Sequence, residues 1–395
     1  MKKTSIFLIL ALFATNACQT SKEKETLSAE TSASKIQQVK EIPVSWQDQM
    51  KLLDSSLTDI YPLILSPQDF QRKDNQEFIL SRLEVISEIS KKVNHSPMSQ
   101  MSDPSLNFIS FDFRDQAELA KNSFEGGNKD FARFELLKTT QFCIECHTQS
   151  NRGPSFQSAK ATARFEKLNL LDQAEMLTAT RKFDEALLKY KQFFGLKETS
   201  WDYQFRAESA VHNSLSILIR FKRDAKQTKE FLNLVKQSVF IPVYLKNIIQ
   251  VWEEDVHTWS LAFGKNQKPS LAQIKVWMER VSSRTFDYGS LGGEIWSQLS
   301  ISYLHEILDT IDQQNKTEIF WLLGSAYVNS MMHYQTSLGQ KYLQSCIRSA
   351  SHTPLAKKCY GKLEEYVFDM YSGSAGTFMP LNEEIQLKDL KKLAY

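Results

Sequence analysis

The densest chemistry in the chain is the run Cys143-Ile144-Glu145-Cys146-His147. Two thiols three residues apart, with a histidine four from the first, share one face of a helix. Such thiols can add across the two vinyl groups of a haem, with the imidazole set to ligate its iron. Cys-x-x-Cys-His is the spacing of covalent haem c attachment. With five cysteines and seven histidines in 395 residues, chance would place the pattern in about one such chain in a thousand, so the signal is specific. One motif predicts one covalent haem c, with Cys143 and Cys146 as thioether residues and His147 as the proximal iron ligand. Two other chemistries use paired cysteines. A thioredoxin-like redox pair wants a βαβ setting, and no strand alternation surrounds this one. A zinc site needs two further ligands, which Cys346 and Cys359 could supply only from far along the chain and without metal-ligand spacing.

Four amphipathic segments can position the motif. The first opens on Ser45, with Asp48 three residues later, and carries Trp46, Met50, Leu53, Leu57, Ile60 and Ile64 at spacings of a core-facing helix. A second stripe runs Ile79, Leu83, Ile86, Val93. The third follows Asp103-Pro104, read as cap and first-turn proline, carries Leu106, Ile109, Phe113, Ala117, Ala120 and Phe124, and ends at Gly126-Gly127. The fourth starts near Asn128, includes Phe131, Phe134 and Leu137, and runs into the motif. Short connections predict an antiparallel four-helix bundle over residues 42–155.

A bundle closed by the haem motif resembles the class II c-type cytochromes, the cytochrome c-prime family. The resemblance covers roughly residues 45–152 and rests on helix order and motif position. It implies a second axial site that is open or filled by a methionine of the first helix, and Met50 occupies the corresponding place. A plain core methionine is the alternative for Met50, and Met98, Met101 and His95 are other candidates for the iron. The family commonly has an aromatic and then a basic residue after the motif. Here Thr148 to Arg152 lacks the aromatic and places Arg152 one step late. Arg152 is a candidate partner for a haem propionate, a solvated arginine being the alternative. In a class I arrangement the motif would open the domain and a methionine would follow, but the first downstream methionine, Met176, falls in a helix assigned to the next domain.

Residues 156–395 are helical in pattern almost throughout. Leu177 with Lys182-Phe183-Asp184-Glu185-Ala186-Leu187 and Tyr190, and later Phe320-x-x-Leu323-Gly324-x-x-Tyr327, are similar to parts of a tetratricopeptide repeat. The expected fold is therefore all-α, the haem bundle followed by an α-helical-hairpin array, with a generic α-bundle as the alternative for the second part. Cys346 and Cys359, flanking a turn at Pro354, are expected to form a disulfide. Trp201, Trp252, Trp259, Trp277, Trp296 and Trp321 read as core. His212, His257, His305 and His333 lack partners at metal-ligand spacing and read as satisfied or solvated. With no Ser/His/Asp set, paired carboxylates or Gly-rich phosphate loop, no enzyme is expected, and the array reads as a scaffold for a protein partner.

The 48 basic and 46 acidic residues nearly cancel, which gives no bulk reason to seek nucleic acid or an anionic membrane surface. Residues 1–17 read as an export signal and Cys18 as a lipidation site. Residues 18–41, polar and without aromatics, read as a disordered tether. The chain is thus expected in a bacterial envelope, periplasmic and lipid-anchored to the outer membrane. The leading functional expectation is a mono-haem one-electron carrier exchanging with a redox partner protein. A small-gas binder with an open sixth site and an interaction lipoprotein with structural haem are the alternatives.

Overall fold

The computed structural model describes residues 45–93, 103–149, 165–198, 200–262, 267–289, 291–312, 315–331, 336–374 and 376–395. The export signal, Cys18, the tether, His95, Met98, Met101, Arg152 and His333 lie outside the described residues, as does the side chain of Trp201. The chain is all-α: it is 82% helical, with 16 α-helices among the described residues.

Local sequence explains the first elements. Helix α1 (Trp46–Leu65) starts on Ser45, whose Oγ accepts from the Asp48 amide at 3.2 Å, and buries Met50, Leu53, Leu57, Ile60 and Ile64. A five-residue helix not foreseen, α2 (Pro67–Gln71), begins on Ser66 with proline in its first turn and buries Phe70 edge-on to Phe124. Helix α3 (Lys73–Val93) buries Ile79, Leu83 and Ile86. Helix α4 spans Ser105–Glu125 and ends at Gly126, with Gly127 left-handed at φ 84°. Its start differs from expectation: Pro104 takes the N-cap position, and Asp103, one residue further out, accepts from the Ser105 amide at 2.8 Å. Helix α5 (Lys129–Gln149) holds the Cys-x-x-Cys-His run in its last turns. Its face also differs from the expected stripe. Phe131 and Phe134 are exposed, Lys138 lies over the Phe134 ring, and Ala132, Leu136, Thr139 and Thr140 are buried instead. Ring hydrophobicity thus misjudged which face turns inward. Helix α1 packs on α3, α3 on α4, α4 on α5 and α5 back on α1.

The remaining helices are α6 (Leu170–Ala179), α7 (Phe183–Phe194), α8 (Trp201–Leu215), α9 (Ala225–Gln237), α10 (Val243–Ala262), α11 (Leu271–Tyr288), α12 (Glu294–Leu308), α13 (Lys316–Val328), α14 (Leu338–Ser349), α15 (Pro354–Tyr371) and α16 (Leu381–Ala394). A π-helical stretch, Ser216–Phe221, continues α8. Ser372–Gly373 and Gly376–Thr377 pair as a minimal antiparallel hairpin. Trp252, Trp259, Trp277 and Trp296 are buried as expected, while Trp321 is only partly so. Helices α13 and α14 approach so closely that a Cβ on Gly324 would sit 2.7 Å from Leu343 Cγ, and one on Gly339 2.6 Å from Val328 Cγ1. Cys346 and Cys359 form a disulfide between α14 and α15, with Cα atoms 6.3 Å apart and a sequence separation of 13. Changing both to serine is expected to lower the unfolding free energy by about 3 kcal/mol, from the entropy of closing that loop. Denaturant titration checks this, and equal midpoints for the two proteins would show the bridge contributes nothing.

The described residues all belong to one compact unit. Helix α5 packs on α6, on the π-helical stretch and on α12, while α4 touches α14. Among the described residues no helix is long and apolar enough to cross a membrane.

Candidate functional site

Helical geometry brings Cys143, Cys146 and His147 to the end of α5, where both cysteines are half-buried thiols. Burial, with Cys146 and Asp54 nearby, pushes the Cys143 thiol up to about 12. Burial likewise raises Cys146 to about 11, against the pull of the Arg181 charge. A reactive redox pair needs a lowered pKa, so this setting argues against that chemistry. Cys346 and Cys359 are joined to each other and cannot complete a zinc site. Among the described residues no three His, Cys, Asp or Glu side chains are grouped to hold a bare metal ion.

His147 Nδ1 lies 2.9 Å from the carbonyl oxygen of Ala179, the last residue of α6. A carbonyl only accepts, so Nδ1 carries the proton and Nε2 is the nitrogen suited to a metal. Ligating histidines almost always give their other N–H to a carbonyl, carboxylate or water. Burial and the neighbouring Arg181 cation lower the His147 pKa to about 4, so the imidazole is neutral at ordinary pH. Arg181, in the turn between α6 and α7, adopts a left-handed φ of 61°. Such a backbone costs on the order of 1 kcal/mol for a side chain of this kind and marks a position held by its surroundings. These residues suit a covalently held haem: two thiols, an anchored imidazole, and a cation beside them for a carboxylate.

Met50 is buried on α1. Arg133 Nε donates to the Ile64 carbonyl at 2.5 Å, and the Asp54 charge acts on Cys143. The Arg133 bond ties the C-terminal end of α1 to the first turns of α5.

Behind the motif runs a buried polar network that the sequence did not announce. Glu145 receives both terminal nitrogens of Arg220, at 3.0 and 3.1 Å. Arg220 also reaches the Tyr327 hydroxyl at 3.3 Å, as does Gln149. That hydroxyl is 2.8 Å from His305 Nε2, and His305 Nδ1 is 2.5 Å from Asp103, which also accepts from Tyr342 at 2.7 Å. On the other side His212 lies 3.8 Å from Glu145 and 3.0 Å from Glu294. His212 and His305 are therefore satisfied core histidines, and His257 is exposed. Arg220 alone left a trace in the sequence, as the one cation within the otherwise apolar Ile217–Phe221.

Burial opposes ionisation of Glu145, yet the Arg220 guanidinium and His212 outweigh it and hold the carboxyl at about 2. Burial would lower His212, but hydrogen bonding and charge from Glu145 and Glu294 raise it from 6.5 to about 9. A raised pKa stabilises the fold fully below the unfolded value and loses that contribution as pH climbs through the folded one. Unfolding free energy is thus expected to fall between pH 6.5 and 9, by up to about 3 kcal/mol for this one group. Denaturation curves across that range check this. A slope left unchanged by His212→Gln would assign it to other groups.

Comparison of the chain with protein-family models, with curated proteins and with solved structures gave no match.

Proposed function

We propose that the chain is a mono-haem c-type cytochrome that carries single electrons. The observation carrying this reading is the Cys-x-x-Cys-His run with its histidine anchored through Nδ1 on the Ala179 carbonyl. Cys143 and Cys146 would hold the group through two thioether bonds, each S–H adding across one vinyl group. His147, oriented through Nδ1 by the Ala179 carbonyl, would ligate through Nε2, and Arg181 would pair with a carboxylate of the group. Bound haem supplies reversible one-electron chemistry at its iron. Helices α1, α3, α4 and α5 are read as the four-helix haem bundle. The helices from α6 onward are read as a hairpin array that docks a redox partner, supported by the close α13–α14 approach at Gly324. Export and lipid anchoring at Cys18 belong to the same reading and rest on sequence.

Met50, buried on the first helix, would supply the second axial ligand, as the likeness to the class II cytochromes implies. A Met/His pair keeps iron low-spin and raises its potential, which suits rapid exchange. The test is an absorption spectrum of the oxidised holoprotein beside Met50→Ala. A low-spin spectrum with the weak sulfur-to-iron band, lost in the variant, supports the reading. A high-spin spectrum unaffected by the substitution removes Met50 from the site and turns the reading toward gas binding.

A further inference from the structure

Glu145 lies between the two motif cysteines, is buried, and bonds into the polar network instead of facing solvent. Its partner Arg220 is carried on the π-helical stretch, where Lys222 N bonds Ile217 O at 2.8 Å. Short π segments recur at functional sites because they shift the residues they carry off the α register. Arg220 is 2% exposed and Glu145 8%, so water screens neither charge. A carboxylate two residues from the iron ligand favours the more positive, oxidised iron, and a guanidinium opposes it. We propose that the Glu145–Arg220 pair sets the reduction potential of the haem group, each charge cancelling the other's bias. This rests on the haem reading above and adds a residue from the array to the redox site. The pair also ties α5 to the array, but a purely mechanical tie has no reason to act in opposite senses when its two ends are changed.

The experiment is potentiometric titration of the full-length holoprotein at neutral pH, with covalent haem scored by staining a denaturing gel. Glu145→Gln leaves Arg220 uncompensated and is expected to raise the midpoint. Arg220→Gln leaves Glu145 uncompensated and should lower it, while Arg220→Lys, which keeps the charge, should restore it. At the original midpoint the oxidised-to-reduced ratio should move by about tenfold, the order expected of one unit charge near a redox centre at an effective dielectric constant of about 20. Should Arg220→Gln fail to fold, Glu145→Gln and Arg220→Lys still decide. Haem-loaded Glu145→Gln and Arg220→Gln shifting in the same sense, or a Glu145→Gln midpoint that does not rise, overturn the proposal and leave the haem reading intact. A chain that acquires no covalent haem overturns both.

Discussion

Replacing Cys143 and Cys146 together by serine is expected to abolish covalent haem, with complete loss of the haem-stained band on a denaturing gel. Serine hydroxyls do not form the thioether bonds, and a haem held by His147 alone dissociates on denaturation. Single substitutions should leave one thioether and a weaker band. His147→Ala should keep the covalent link in part but change the iron's ligation and hence its spectrum. The fold should survive the serine pair better than loss of a core residue, since both thiols are only half-buried. A haem-stained band of full strength in the double variant would place the attachment elsewhere and sink the assignment.

Asp103→Ala should be the most destabilising of the polar substitutions, costing about 3–5 kcal/mol, as expected when one member of a buried charged network is removed. Three groups lose their acceptor at once: His305 Nδ1, the Tyr342 hydroxyl and the Ser105 amide. Asp103→Asn keeps the shape and one acceptor oxygen, and should cost roughly 1–2 kcal/mol. There is an acid counterpart. Burial works against the Asp103 carboxylate, but His305, the Ser105 amide and Tyr342 bring its pKa down from 3.8 to about 2. A depressed carboxyl contributes stability above its unfolded value and loses it as pH falls through the folded one. About 2 kcal/mol should therefore disappear between pH 4 and pH 2 in the parent and not in Asp103→Ala. Unfolding curves at neutral and acid pH measure both effects. Parent-like stability of the alanine variant at neutral pH would show the network to be energetically idle.

Asp103 illustrates what was legible and what was not. As the residue before Pro104 it reads as a local cap, and it does bond the Ser105 amide. Its larger role comes from His305 and Tyr342, some 200 residues further on, and no local pattern foretells which distant side chain will arrive. Glu145 reads as a spacer between two cysteines for the same reason. Arg181 drew no notice in the sequence, and its charge acts on Cys146 and His147 because α6 packs on α5. Phe131 and Phe134 erred the other way: aromatic residues at helical spacing look like core, yet the small residues of α5 face inward.

By itself the sequence determined the all-α class, the starts of α1, α4 and α5 to within a residue or two, the Cys346–Cys359 bridge and the one Cys-x-x-Cys-His motif, while α3 begins at Lys73, six residues before its expected stripe. These are local matters, set by periodicity, caps and covalent spacing, which act over a few residues. Only the tertiary structure decided that Ala179 orients His147 and that Arg220 meets Glu145. Those contacts form because apolar burial packs both sets of helices into one unit, and whichever polar groups are trapped at the seam must then satisfy one another.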